Sequence, residues 1–318
     1  MKNFWATLPK PFFALAPMED VTDAAFRRLV AWYGKPHVMF TEFTSADGLV
    51  LADANGQRQL RKKLQFSDNE RPIVAQLFTA DPERMEKASH IVTELGFDGV
   101  DINMGCPDRA VEQSGCGAAL MKDPTRARKL IRATKRSGFP VSIKTRIGYN
   151  NDELETWLPA LLSEEPAAIT IHARTRKEMS DVPAHWDAVA RAVDIRNSYK
   201  SRTLIIGNGD AESISDARAK AHASRCDGVM LGRAAYGNPW LCADRAEPPT
   251  PEEKIKALNE HLELFDDLLS DTTNYAVMKK HFKAYVSDWR GAKEFRAELM
   301  GTRSVQEGKE ILEDIRRF

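Results

Sequence analysis

The sequence predicts an α/β protein, a (β/α)8 TIM barrel that carries a small all-helical domain at its C-terminal end. Three observations lead there. Short apolar runs alternate with amphipathic helical stretches through eight rounds. A proline-rich segment, Glu247-Pro248-Pro249-Thr250-Pro251, then ends the alternation, and the residues beyond it show helical spacing only.

The eight runs, in order, are Phe12–Ala16, Val38–Phe43, Ile73–Phe78, Gly99–Asn103, Val141–Thr145, Ala168–His172, Thr203–Gly207 and Gly228–Gly232. Helical stretches between them cover Asp23–Trp32, Asp81–Leu95, Pro124–Lys135, Asp152–Leu162, His185–Val193 and Ala211–Ala221; in the second, Met85, Ala88, Ile91, Val92 and Leu95 repeat at helical spacing. A doubly wound open sheet is the competing architecture. It usually shows a glycine-rich dinucleotide turn after the first strand, whereas here that strand runs into Ala16-Pro17-Met18-Glu19-Asp20. Past the linker, Ile255, Leu258, Leu262, Phe265 and Leu269 form one stripe, and Val277, Phe282, Tyr285 and Val286 begin another. The expected division is a barrel over 1–243 and a helical domain over 244–318.

Of 318 residues, 42% are hydrophobic, enough for a full core, and no apolar run approaches the roughly 20 residues of a membrane span. Met1-Lys2-Asn3-Phe4-Trp5 lacks the charged and apolar regions of a secretory signal. Cys106, Cys116, Cys226 and Cys242 show neither Cys-x-x-Cys pairs nor zinc spacing, and so read as reduced thiols in a cytoplasm. Formal net charge is +0, which argues against a generic DNA binder and leaves any nucleic-acid surface to local basic patches.

The most informative stretch is Asp101-Ile102-Asn103-Met104-Gly105-Cys106-Pro107. A strand ending in a Gly-Cys-Pro turn directs a thiol out of the core, and a second permissive patch, Ser114 to Ala119, follows. In a barrel, strand C-termini build the active site. Those ends here carry Pro17-Met18-Glu19, Glu42, Gln76, Asn103 with Cys106, Lys144 with Arg146, His172 with Arg174, Asn208-Gly209-Asp210 and Gly232-Arg233. The last two follow strands seven and eight, where barrels commonly hold a phosphate on backbone amides, and Arg233 adds charge-assisted hydrogen bonds. Lys144 and His172 would face the other end of that ligand. A flavin ring fits this layout, because a cation stabilises its reduced form and Gln76 offers donors and acceptors to its pyrimidine edge.

Together these residues resemble the tRNA-dihydrouridine synthases, a flavin-dependent barrel family, from about Phe12 to Tyr285. Further markers are Thr41-Glu42-Phe43, Gly115–Leu120, Leu231-Gly232-Arg233-Ala234 and the basic segment Lys279-Lys280-His281-Phe282-Lys283. The resemblance implies an oxidoreductase with bound FMN, reduced by NADPH, that transfers hydride to C6 of a uracil in tRNA while Cys106 protonates C5. It implies FMN contacts from Pro17, Met18, Glu19, Gln76, Lys144, His172, Asn208, Gly209, Asp210, Gly232 and Arg233. Substrate contacts would come from Asn103, Arg174, Lys279 and Lys280, with Arg58, Arg61, Lys62 and Lys63 as a second basic run. Nothing in the chain calls for an obligate protein partner or a membrane, and a monomer is expected. Cys116, Arg109 and Ala173 depart from the family pattern, which prefers a small residue, lysine and glycine there, and a second thiol near Cys106 raises the prospect of a disulfide under oxidation. Two other readings stand beside this one: a flavin enzyme acting on a free pyrimidine, and an RNA-binding protein without catalysis.

Overall fold

Most predicted apolar runs are rich in β-branched or aromatic residues, and seven of the eight become single strands largely buried on both faces, as parallel strands covered by helices must be. The computed structural model describes residues 3–243, 245 and 247–315. Its strands are β1 (Phe12–Leu15), β2 (Met39–Phe40), β3 (Thr44–Ser45), β4 (Ile73–Phe78), β5 (Gly99–Met104), β6 (Val141–Arg146), β7 (Ala168–His172), β8 (Leu204–Asn208) and β9 (Gly228–Leu231). All pair in parallel in the order β1-β9-β8-β7-β6-β5-β4-β2, and β3 also pairs with β4. Ala14 bridges Val38, and the Leu15 amide donates to the Val38 carbonyl at 3.1 Å, bringing the two ends of the sheet together. The predicted barrel of eight parallel strands is therefore present.

One predicted strand is broken. The run Val38–Phe43 yields only β2, and β3 follows just beyond its end after an interruption at 41–43. At the interruption the Gln76 amide of β4 donates to the Thr41 hydroxyl at 3.1 Å in place of a ladder carbonyl. Glu42 turns into the protein and accepts the Asp20 amide at 2.6 Å.

Among the described residues, three apolar clusters hold the molecule together. The largest lies between strands and outer helices and includes Val100, Ile102, Met104 and Ile143. A second plugs the barrel floor with Trp5, Phe12, Phe40, Val74, Ile206 and Met230. The third joins the C-terminal helices Pro251–Leu269, Met278–Tyr285, Ala292–Gly301 and Val305–Ile315 to Ala25 and Leu29 of the helix Ala24–Tyr33. Thr250 opens the first of these helices with a capping box to Glu253, and Pro251 occupies the first turn, where its missing N–H costs nothing. The expected domain boundary adjoins residue 244, which lies outside the described residues. No helix among the described residues is long and apolar enough to cross a membrane.

Candidate active site

Because side chains alternate along a strand, Val100, Ile102 and Met104 face the helices while Asp101 and Asn103 face the barrel interior. Parallel register aligns Gln76, Asp101 and Ser142 in one inward layer, and Asn103 with Lys144 in the next. Above these layers, loops at the strand C-termini enclose two adjoining cavities. The larger, of about 710 Å3, is lined among others by Pro17, Met18, Arg174, Asn208, Gly232 and Arg233. The smaller, of about 150 Å3, holds Cys106, Asn103, Gln76, Phe43 and Arg146. Pro17, Lys144 and His172 line both.

The larger cavity has an anionic-ligand end. Among the described residues, the N–H groups of Gly209, Asp210, Arg233 and Ala234 meet no protein acceptor, so four amides remain free beside the cavity. Gly209 takes φ +129°, and a Cβ there would come within 2.8 Å of the Ala184 Cβ, so glycine is required for this backbone to follow its course. Asp210 accepts from Arg174 at 2.5 Å, from Arg233 at 2.5 Å and from the Ala184 amide at 2.9 Å. Its carboxylate, held below the usual range by these donors despite partial burial, fixes two guanidiniums at the cavity.

The other end is cationic and polar. The Lys144 ammonium makes no hydrogen bond or ion pair to a described residue; burial, with Arg146 nearby, brings it down to about 8. His172 is driven far below the usual histidine range by burial and by Lys144, Arg146, Arg174 and Arg233. Arg174 Nη1 lies 3.2 Å from His172 Nε2, so the neutral ring accepts at Nε2 and carries its proton on Nδ1. Free amides at one end, an unpaired cation and a neutral imidazole at the other, and a volume in the usual range for a bound small molecule fit a planar polar ring with a phosphate tail.

Cys106 sits in the smaller cavity on a tightly tied loop. Asn103 Oδ1 accepts the amides of Gly105 at 3.1 Å and Cys106 at 2.9 Å. The Cys106 carbonyl accepts the Ala118 amide at 2.9 Å, and Arg146 Nε donates to the Gly105 carbonyl at 2.9 Å. Gly117, at φ +58°, passes so close that a Cβ would lie 2.6 Å from the Cys106 carbonyl oxygen. Burial holds the thiol above its ordinary value, so it is protonated at neutral pH. Cys116 is a buried free thiol outside both cavities.

Several expected positions behave differently. Glu19 enters neither cavity; its carboxylate pairs with Lys63 in a cluster with Asp20 and Glu42. Gln76 and Asn103 reach the smaller cavity, but much of their capacity is spent internally: Gln76 donates to Asp101 at 2.7 Å and accepts from Asn103 at 3.0 Å. In the tail, exposed Lys280 pairs with Asp20 at 2.8 Å and half-buried Lys279 donates to the Met300 carbonyl at 2.8 Å; both lie outside the cavities. Arg58 and Lys62 clip the helix Ala54–Lys63 to Asp271, at 2.7 and 3.2 Å. Arg146 is among the expected strand-end residues but is given no cofactor or substrate contact there, and Asp101 is given no role, though each lies two positions from a residue that is, on the same inward face.

Fold and site together give a parallel barrel whose larger cavity offers free amides and guanidiniums, beside a protonated cysteine. A sequence model described as "Dihydrouridine synthase (Dus)" matches residues 14–318, and the chain belongs to that family. It is 40% identical over 318 residues to the "Probable tRNA-dihydrouridine synthase 2" of Bacillus subtilis (strain 168), covering 99% of this chain and 97% of that one. It is 39% identical over 315 residues to the "Probable tRNA-dihydrouridine synthase" of Staphylococcus aureus (strain COL), covering 98% and 95%. Among solved structures, histamine dehydrogenase from Rhizobium sp. 4-9 superposes with a TM-score of 0.52 at 13% identity, over 79% of this chain and 48% of that one, a likeness of fold.

Proposed function

We propose that the protein reduces a uridine of tRNA to 5,6-dihydrouridine, with FMN in the larger cavity and NADPH as the source of electrons. The observation that carries this reading is the meeting of the two cavities along Pro17, Lys144 and His172, so that a ligand in the larger one would lie against the cavity that holds Cys106. The free amides of Gly209, Asp210, Arg233 and Ala234, with the Arg233 guanidinium, would hold the phosphate, and Lys144 and His172 would meet the ring. When bound, FMN would supply a hydride to C6 of the uracil.

The chain's own part is proton management. Hydride addition leaves negative charge spread over C5 and the adjoining carbonyl, and Cys106 holds a proton at Sγ to place on C5. A thiol pushed up by burial is suited to that task, since a nucleophilic cysteine would need the opposite shift. The Lys144 ammonium, mostly charged at neutral pH, would offset the developing charge, while neutral His172 can donate from Nδ1 without adding another cation to the crowd. The target base must leave its stack, at a cost of a few kcal/mol that is smallest in an exposed loop. Exposed Lys280, with half-buried Lys279 beside it, would approach the tRNA backbone. A cytoplasmic site of action, with two units over 1–243 and 244–318 acting as catalytic and tRNA-binding parts, completes the proposal.

The test is to reconstitute the protein with FMN and follow NADPH oxidation with unmodified tRNA, with free uracil and with neither. Oxidation accelerated by tRNA alone is expected. Acceleration by free uracil would favour a free-pyrimidine enzyme, and none with either would remove the reading.

A further inference from the structure

Asp101 has no part in the reading above, yet it is fully buried on the inward face of β5, directly beneath Asn103. Its two oxygens accept from Ser142 Oγ at 2.6 Å and Gln76 Nε2 at 2.7 Å. Gln76 Oε1 accepts from Asn103 Nδ2 at 3.0 Å, and Asn103 Oδ1 accepts the amides of Gly105 and Cys106. The chain of bonds thus runs from a carboxylate, which can only accept, to two backbone N–H groups, which can only donate.

That polarity leaves one arrangement. The carboxylate requires the NH2 of Gln76, which turns the Gln76 oxygen towards Asn103. Asn103 must then present its own NH2, and its oxygen meets the Cys106 loop. We propose that Asp101 is a positioning residue which, by fixing the orientation of two successive carboxamides, sets where the Cys106 thiol stands. It touches neither thiol nor cavity and acts through Gln76 and Asn103. The importance of the thiol's place rests on the function proposed above; the orientation of the loop does not.

The experiment compares Asp101→Leu and Asp101→Asn, using the pH dependence of Cys106 alkylation by iodoacetamide on protein that makes no turnover, beside kcat and KM for tRNA. Alkylation at Cys106 is mapped by peptide mass spectrometry to separate it from the other thiols. Leucine removes the acceptor and lets both carboxamides rotate. Releasing the two amide bonds to the loop should raise the alkylation rate about tenfold, on the scale of one to two ordinary hydrogen bonds, and lower kcat comparably with KM for tRNA unchanged. Asparagine can still accept from Gln76 with its oxygen while donating to Ser142, so it should restore the alkylation rate to near wild type, and kcat likewise when compared near pH 6, where Lys144 stays charged without the Asp101 carboxylate. Asparagine behaving like leucine would overturn the proposal in favour of a role for the charge, and wild-type alkylation in both variants would overturn it outright. Wild-type protein inactive on tRNA, with alkylation still following this pattern, would sink the proposed function and leave the positioning role standing.

Discussion

The alkaline limb of the pH–rate profile should belong to Lys144, and replacing that lysine with arginine should move it. Burial is the main reason its ammonium falls to about 8 from an ordinary 10.5, with Arg146 adding repulsion and Asp101 and Cys106 opposing. The sign follows from the charge: burial disfavours the cation, so Lys144 is positive below about pH 8 and neutral above it. With a pKa near 8, about nine-tenths of the lysines are charged at pH 7 and about one-tenth at pH 9, so kcat/KM for tRNA should drop about tenfold across that interval. Cys106 lies above its ordinary 9.0 and adds its own loss only at higher pH. Arginine keeps its charge far beyond this range, so in Lys144→Arg the limb should recede towards that of the thiol, though the bulkier fork lowers the plateau. The assay is dihydrouridine formation at subsaturating tRNA from pH 6 to 10, at constant ionic strength because RNA binding depends on salt. A limb that stays near pH 8 in Lys144→Arg would refute the assignment.

Other perturbations test the remaining parts. Gly117→Ala forces a methyl against the Cys106 carbonyl at a left-handed backbone position, and should cost at least tenfold in kcat with cofactor content, read from the visible spectrum, unchanged. Arg233→Ala removes one charge-assisted donor from the phosphate end and should weaken FMN retention roughly tenfold or more by equilibrium dialysis; equal retention would put the phosphate elsewhere. Lys279→Glu with Lys280→Glu should weaken tRNA binding, flatten its dependence on salt and leave the protein's colour intact, measured by filter binding over a salt series.

The barrel was legible in the sequence because burial on both faces forces continuous apolar runs, and such runs survive in one dimension. The strand-end rule then placed Pro17, Lys144, His172, Asn208 and Arg233 around one cavity, as the structure has them. What escaped were pairings between side chains brought together only by register. Gln76 and Asn103 are recognisable as strand-end amides, but nothing along the chain reveals that they bond to each other and to Asp101. Glu19 was drawn away by Lys63 on the helix Ala54–Lys63, a helix with no buried residue and therefore no apolar period to announce it. The break at Thr41–Phe43 was hidden for a similar reason, since the hydroxyl that replaces a ladder carbonyl looks like any strand threonine.

The central claim is that this chain delivers a proton from Cys106 to a uracil reduced in tRNA. Mass spectrometry of unmodified tRNA after incubation with FMN, NADPH and either wild-type protein or Cys106→Ala tests it most directly. The wild type should give a gain of two hydrogens at a mapped uridine, and the variant, which keeps its FMN, almost none. Equal gain with both proteins would contradict it.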